Sequence, residues 1–479
     1  MFTKGSSGGS AEEKDGVGDI VGNNTYHPGT ADGEYDELHV RCPPHTTERK
    51  MVMRIDWRLV PFLCILYLLA FLDRVNIANA RSFHLMEDLN LQGVEYNTVL
   101  QGFVQNYGGL LATRFFLAPS TFMIPQSILN IGTARLFEAG MFPGCFYLLG
   151  MWYKRSEAQK RYSLFFSSTS LAGAFGGLLA SAIGKMDGIH GYHGWRWIFI
   201  LEGILTCAFA LLFFFVFPSF PEQAKWLNEE ERAYVKARLQ ADTGRNAAER
   251  KVSFRDFLTV MKDHRVWLGG FMYFGLIMPA YGYAYFAPTI ISTYGYNPIQ
   301  TQLHSVPPWA ASFGFSLLIA ALSDATKLRA PFALAPLALS IAGFGILLSV
   351  HDNIRIQYAA LCLVTMGTYG AMPIIVCWFN MNLGGHHRRS IGTAWQVGFG
   401  NIGGIIATYS FLSTDAPRFV KGYAIAISFT ILSIIACTLY LISIMVENRK
   451  RAKSARDVGL SEYEKTEMGD LNPEFKYMY

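Results

Sequence analysis

Long apolar segments, each followed by a short polar stretch, run through the chain from about residue 58 to residue 446. Each segment approaches the ~20 residues that an α-helix needs to cross the hydrocarbon core of a bilayer. A helix satisfies its backbone hydrogen bonds internally, so such segments cross membranes as helices. The pattern therefore predicts an all-α polytopic membrane protein. The predicted spans are 58–80, 162–184, 195–217, 266–291, 307–323, 330–350, 356–379, 391–413 and 421–446.

A long charged stretch at 218–264 divides these spans into two sets and carries a predicted helix in its middle. Six spans follow it, but only three clear spans precede it. An ambiguous region at 99–153 completes the first set. It holds two short apolar pieces, and residues 118–135 between them include Pro119 and Pro125 and lack a clean helical period.

Basic residues give the expected orientation, because loops rich in Lys and Arg stay in the cytoplasm. Basic clusters alternate along the chain with loops that carry few basic residues. We therefore expect both termini and the central loop to be cytoplasmic, provided that the ambiguous region crosses the membrane an odd number of times. The predicted organisation is a disordered cytoplasmic tail at 1–50, a first transmembrane half at 51–217, a cytoplasmic loop at 218–264, a second transmembrane half at 265–446 and a cytoplasmic tail at 447–479.

Composition excludes most other classes of protein. The chain has 479 residues, of which only 16% are charged, whereas a soluble domain carries about 25%. A formal net charge of +5 is too small to indicate a nucleic-acid partner. The cysteines have no metal-ligand spacing, and the sequence contains no GxSxG, HExxH or Walker A motif. We therefore expect neither enzymatic activity nor a metal or cofactor.

A motif recurs in the two sets of spans. In each, a basic cluster leads into a span that carries a GxxxG pair, Gly173 with Gly177 and Gly400 with Gly404. Glycines at this spacing let two membrane helices approach closely, although any membrane protein can contain such a pair. The matched positions favour an internal parallel repeat, with a substrate site near the midplane between the halves.

Distinctive motifs lie in and between the spans. They are RIDWRLVPFLCILYLLAFLDRVNIANA, LLATRFFL, FEAGMFPGCFYLLGMWYKRSEAQKR, HGWRWIFILEG, PEQAKWLNEEERAYVKARL and ALSDATKLRAPF. Together they resemble the fungal allantoate permease branch of the major facilitator superfamily, also called the anion:cation symporter family. The resemblance implies a two-half bundle of membrane helices that imports small organic anions, such as vitamins and ureides, together with protons.

The chain departs from this family pattern at two places in the first half. The family has two further spans where only residues 81–100 stand, and residues 118–135 interrupt its fourth span. The fold prediction is therefore a major facilitator two-half helical bundle that lacks two spans of the first half. Our hypothesis is a mis-spliced gene model that skips one segment and retains another. The alternative is a real variant with ten spans, whose incomplete first half would not close around a central cavity.

Charged residues inside the first-half spans are functional candidates, because burying a charge in a membrane is costly. Asp73 and Arg74 belong to the first-span motif; the alternative is an interfacial pair in which Arg74 reaches the membrane surface. Arg114 can bind a carboxylate with two parallel hydrogen bonds, or it is a structural partner of Glu138 or Glu202. Those two glutamates are the candidates for proton coupling, since burial favours the protonated form of a carboxyl group. The alternative for them is an ion pair at a helix end.

Polar and aromatic residues in the second half are candidates for reading the substrate. Tyr281 and Tyr285 share one helix face, and Asn380, Trp395 and Gln396 lie in or near spans. Such residues can line a binding site and hydrogen-bond a substrate. The alternative is that they join neighbouring helices.

Two loops of the second half carry further charged or metal-ligand side chains. Asp324, Lys327 and Arg329 resemble a cytoplasmic gating loop; the alternative is that the basic residues only mark the cytoplasmic side. His386 and His387 resemble a metal pair, but they stand in a basic loop, which favours a solvated loop without metal.

The leading functional prediction is a secondary active transporter, a proton-coupled symporter that imports a small organic anion such as a vitamin, carboxylate or ureide. Its expected partners are the lipid bilayer, the anion and protons, and we expect a monomer in the plasma membrane. The alternatives are a membrane nutrient sensor on the same fold without flux, and a non-functional product of a mis-spliced gene model.

Overall fold

The structure, a computed structural model, describes residues 42–83, 141–216, 221, 224, 226–243, 254–384, 386–411, 415–454 and 475–479. Arg114, Glu138, the predicted insert at 118–135 and most of the region between the first span and that insert lie outside the described residues. The two departures from the family pattern therefore stay predictions.

The described chain is a bundle of long α-helices. Eight of these helices are long and apolar enough to cross a membrane, which confirms the predicted polytopic all-α fold. The helices are α1 Glu48–Arg81, α2 Met141–Trp152, α3 Arg155–Ile183, α4 Gly194–Val216, α5 Glu229–Thr243, α6 Phe254–Met261, α7 His264–Ser292, α8 Pro298–Thr326, α9 Ala330–Ser349, α10 Ile354–Met381, α11 His386–Ser410 and α12 Val420–Ser454.

Several helices begin before the apolar segments that predicted them, because polar side chains cap their first turns. The Thr47 side chain accepts a hydrogen bond from the Lys50 backbone N–H at the start of α1. Asn297 and Gln300 form a reciprocal capping box at the start of α8. Such caps satisfy backbone N–H groups that have no partner within the helix. The membrane pattern locates the centre of each span, whereas the caps set its ends.

Helix α5 of the central loop packs on the first half at the end where α1 begins, which we call the basic end. The Arg238 guanidinium lies 2.6 Å from the Glu48 carboxylate, and Arg54 lies 2.9 Å from Glu231. Burial would raise the pKa of Glu231, but hydrogen bonds from the Asn228 backbone and Arg54 hold it below its usual value. This carboxylate therefore stabilises the fold above its ordinary pKa, and the contribution is lost as the pH falls.

The two halves meet where α3 packs on α8 and α1 packs on α7. On α3, Gly173 lies against the Trp309 ring, and Gly177 lies against Ser305 and the Gln302 backbone of α8. The first GxxxG pair therefore lets helices of different halves come close.

The second GxxxG pair makes a different kind of contact. Gly400 and Gly404 of α11 lie against Tyr273 and Tyr281 of α7, within the same half. The two pairs match in sequence position, but they face different partners. Gly404 lies against the ring of one predicted substrate residue, Tyr281.

We expect Gly177→Ala to lower the melting temperature of the purified protein by several degrees. The added Cβ would lie 2.6 Å from the Ser305 hydroxyl and 2.9 Å from the Gln302 carbonyl, and such overpacking costs about 1–3 kcal/mol. Gly314→Ala on α8 is the matched control, since its Cβ would have no neighbour within 4 Å. Thermal unfolding in detergent measures both variants, and equal melting temperatures would contradict a tight contact between the halves.

Candidate functional site

Arg74 of α1 reaches across the boundary between the halves to α7. Its Nη1 donates a hydrogen bond of 2.5 Å to the Tyr281 hydroxyl, and its Cζ lies 5.7 Å from the centre of that ring. Tyr281 and Tyr285 stack with ring centres 5.4 Å apart. The structure thus brings together three residues that the sequence predicted for the substrate site, and they come from both halves.

A polar stripe on α1 continues from this contact. Asp73, Asn76 and Asn79 recur at every third residue, which places them along one side of the helix. The Thr206 hydroxyl of α4 donates to the Asp73 carboxylate at 3.3 Å, so α4 packs against this stripe. Sequence reasoning overlooked Asn76 and Asn79, although their helical spacing from Asp73 could have revealed them.

Glu202 of α4 is the buried carboxylate beside this stripe. Its side chain is only 2% exposed, and Asn76 and Asp73 lie close to it. Among the described residues, neither carboxylate oxygen makes a hydrogen bond of good geometry. Arg114, the partner that the sequence alternative gives Glu202, lies outside the described residues, so the proton-coupling role and the ion-pair role of Glu202 both stay predictions.

Aromatic rings from α1, α7, α8 and α10 cluster at the boundary between the halves. Trp309 of α8 is 2% exposed, and its ring centre lies 4.8 Å from that of Tyr369 and 5.3 Å from that of Tyr283. Phe71 of α1 meets the same indole at 6.2 Å. Sequence reasoning missed these contacts of Trp309, because hydropathy and helical period do not distinguish a tryptophan between helices from one that faces lipid.

A second contact between the halves lies toward the end of the bundle opposite the basic end. The Gln302 side-chain amide of α8 donates to the Asn79 carbonyl at 3.3 Å and to the Ser82 hydroxyl at 3.2 Å. Gln302 is fully buried. The contact joins α1 to α8 beyond the Arg74 site, so it closes this part of the boundary between the halves.

Three predicted substrate residues make contacts that join helices of the second half. Asn380 donates to the Val376 carbonyl and accepts a hydrogen bond from Thr393 of α11. Gln396 donates to the Gly269 carbonyl of α7 at 3.3 Å. The Trp395 ring stacks on Phe399 and meets the Trp267 ring edge-on. These contacts correspond to the packing alternative, and the substrate role of Asn380, Trp395 and Gln396 stays a prediction.

The predicted gating loop forms a compact turn between α8 and α9. Arg329 is 3% exposed, and its Nη1 lies 2.8 Å from both the Asp324 carboxylate and the Ser323 hydroxyl. Lys327 ends α8 in the left-handed backbone conformation and is exposed. Asp324 and Arg329 therefore tie the end of α8 to the start of α9, and Lys327 contributes to the turn.

Comparison with known proteins gives consistent results. The model of the Major Facilitator Superfamily matches residues 109–408. The MFS-type transporter cnsO of Penicillium expansum is 28% identical, with 90% of this chain and 91% of the relative covered. The high-affinity nicotinic acid transporter of Saccharomyces cerevisiae is also 28% identical, with 93% of this chain and 87% of the relative covered.

Solved structures show a similar fold. The fucose:proton symporter FucP of E. coli matches with a TM-score of 0.52 and 14% identity, over 82% of this chain and 99% of that chain. The proton:xylose symporter XylE matches with a TM-score of 0.51 and 14% identity, over 79% of this chain and 94% of that chain. At this level of identity the likeness concerns the fold alone.

Proposed function

Since the chain belongs to the Major Facilitator Superfamily, we propose that it is a proton-coupled symporter that imports a small organic anion, such as a vitamin, a carboxylate or a ureide. Its relatives are transporters, and the protein is an integral membrane transporter rather than an enzyme. The allantoate permease-like branch, the plasma membrane, cytoplasmic termini and a monomeric state form part of the proposal.

The observation that carries the anion proposal is the contact between Arg74 and Tyr281. A guanidinium stays charged at any physiological pH and binds a carboxylate with two parallel hydrogen bonds. The Tyr281 hydroxyl and the stacked Tyr285 ring offer a hydrogen bond and a flat apolar face beside that charge. A small planar or compact carboxylate suits this combination. The contact also spans the two halves, where transporters built from repeats bind their substrates.

Glu202 supports the proton part of the proposal. A symporter that carries an anion into a cell with a negative interior must move enough protons to make the travelling charge zero or positive. Each net positive charge then gains about 2.3 kcal/mol per 100 mV of membrane potential. A carboxylate that is buried beside Asp73 and Asn76 has the position that a proton carrier requires, because its ionised form has little solvation there.

The similarity to a nicotinic acid transporter agrees with this substrate class. Nicotinic acid is a planar aromatic carboxylate, which matches the chemistry of a guanidinium beside two stacked phenol rings. The relative's substrate only directs the choice of compounds. Nicotinate, biotin, pantothenate and allantoate form the test panel.

The experiment that tests the proposal is uptake of these labelled anions into proteoliposomes. Because of the two departures in the first half, the mature transcript across Arg81 to Gly144 is sequenced first, and the chain that it encodes is used. We expect one anion to accumulate when an inward proton gradient is imposed. A protonophore should abolish the accumulation. Uptake of no anion, or uptake that ignores the protonophore, would refute the proposal.

A further inference from the structure

Similar short segments follow the last helix of each half. The first contains Pro221-Glu222 and then Lys225-Trp226-Leu227; the second contains Pro473-Glu474 and then Lys476-Tyr477-Met478. In both, a lysine, an aromatic residue and a large apolar residue follow a Pro-Glu pair. We call residues 226–227 the first anchor segment and residues 475–478 the second anchor segment, and the structure describes both.

The first anchor segment packs on the basic end of the first half. The Trp226 ring stacks on Trp152 at the end of α2, with ring centres 5.6 Å apart. The Arg58 guanidinium of α1 lies 4.5 Å from the centre of the Trp226 ring. Leu227 is 3% exposed. An aromatic residue of this segment therefore joins α1 and α2.

The second anchor segment makes the corresponding contacts in the second half. Tyr477 is only 4% exposed, and the guanidinium groups of Arg265 and Arg451 lie 4.8 Å and 4.7 Å from the centre of its ring. The Trp378 indole N–H of α10 donates to the Met478 carbonyl at 2.9 Å. Tyr477 thus occupies a place that corresponds to that of Trp226, whereas Trp378 holds its segment by a hydrogen bond to the backbone and Trp152 holds its segment by ring stacking.

Two asparagines hold the backbone of the second anchor segment. Asn448 of α12 accepts from the Tyr477 N–H at 3.0 Å and donates to the Tyr477 carbonyl at 2.9 Å. Asn382, next to the end of α10, accepts from the Met478 N–H at 2.7 Å and donates to its carbonyl at 3.0 Å. Each asparagine side chain thus hydrogen-bonds both the backbone N–H and the backbone carbonyl of one residue. This pairing fixes the register of the segment.

Charged pairs beside the two segments show the same correspondence. An Asp-x-Arg sequence stands in the third turn of α1 as Asp56 and Arg58, and at the N-cap and first turn of α7 as Asp263 and Arg265. Asp56 pairs with Arg161 of α3 at 2.7 Å, and Asp263 pairs with Arg388 of α11 at 2.7 Å. The arginine of each Asp-x-Arg sequence lies over the aromatic ring of its own anchor segment. The internal repeat therefore includes the segments after the spans.

We infer that the second anchor segment is an intramolecular clamp, which docks on the basic end of the second half and holds α7, α10 and α12 together as one body. Residues 455–474 connect it to α12 in sequence. The clamp ties the start of α7 to the ends of α10 and α12. Tyr281 lies farther along α7. Its docking therefore controls the rigidity of the half that faces the Arg74 site.

Labelling of buried cysteines tests this clamp in the full-length protein. Cys377 precedes Trp378 on α10 and Cys437 lies on α12, whereas Cys145 lies on α2 of the first half, and all three are buried. We expect Tyr477→Ala to speed the reaction of Cys377 and Cys437 with a small maleimide at least tenfold, read by mass spectrometry. The rate at Cys145 should stay unchanged, because the first half has its own anchor segment.

Two matched variants separate the clamp from a general loss of stability. Tyr479→Ala changes the same residue type in the same stretch, but Tyr479 is 39% exposed. In this variant, the labelling rates of Cys377 and Cys437 should therefore equal those of the wild type. Tyr477→Phe keeps the ring between the two guanidinium groups and loses only the hydrogen bond that Arg451 donates to the Tyr477 hydroxyl at 3.2 Å, so its labelling rates should stay well below those of Tyr477→Ala. Asn382→Ala replaces Tyr477→Ala if the latter cannot be purified, and it should speed the same two cysteines. Unchanged rates at Cys377 and Cys437, or an equal increase at Cys145, would overturn the inference. The readout needs no substrate, so it is independent of the proposed function.

Discussion

Replacing Arg74 by glutamine should abolish concentrative uptake of the transported anion. Losing one partner of a buried, hydrogen-bonded charge pair costs about 2–5 kcal/mol, which corresponds to at least about a thirtyfold loss of affinity. Glutamine carries no charge for the carboxylate, and it is too short to keep the hydrogen bond that the Arg74 Nη1 donates to the Tyr281 hydroxyl. Binding and uptake in proteoliposomes measure the effect.

Arg81→Gln is the matched control for this prediction. Arg81 is the last residue of the same helix, at the end opposite the basic end, and its loss should leave uptake within about twofold of the wild type if it only marks the membrane surface. Arg74→Lys should retain part of the uptake, since an ammonium keeps the charge but loses the planar two-bond geometry. Wild-type uptake by Arg74→Gln would show that Arg74 is only an interfacial residue, which is the alternative from the sequence.

Replacing Glu202 by glutamine should uncouple anion movement from protons. The amide has nearly the shape of the protonated acid, so the anion should still bind and exchange across the membrane. The glutamine amide cannot bind and release a proton, however, so an imposed proton gradient should no longer drive accumulation. We expect exchange of internal for external anion to persist, while gradient-driven accumulation falls to the level seen with a protonophore.

The control for Glu202→Gln is Asp352→Asn, which removes an exposed carboxylate from the loop before α10. That variant should accumulate the anion as the wild type does. Gradient-driven accumulation by Glu202→Gln at the wild-type level would remove Glu202 from the coupling mechanism. Asp73 would then be the remaining carboxylate of the described site, and Glu138 would be the other candidate that the sequence named.

The sequence by itself determined the class of fold and its divided layout. Apolar runs of membrane length form helices wherever they occur, because a helix in lipid satisfies its backbone polar groups within one segment. The structure confirms these runs as helices, and the central charged stretch lies between α4 and α7 along the chain. Local spacing also identified Tyr281 and Tyr285, because residues four apart in a helix lie on one face.

Part of the candidate site was predictable from the sequence, because a charged residue inside a membrane span is energetically costly and therefore conspicuous. Arg74 and Glu202 were identified because an ionisable group inside a span needs a functional or structural reason. Which partners they meet was not predictable, since Arg74 and Tyr281 lie far apart along the chain. The same limit applies to the two GxxxG pairs, which are alike in sequence but face α8 in one case and α7 in the other.

Only the tertiary structure showed which neighbours each buried candidate residue contacts. Trp309 gained its place through the close approach of α3 at Gly173, whereas Asn380 and Gln396 hydrogen-bond within the second half. The docking of Tyr477 between two arginines likewise depends on helices that are remote in sequence. Hydropathy and helical period report the environment of a residue along its own helix. The contacts across helices follow from how complete surfaces fit together, so they became visible only in the folded bundle.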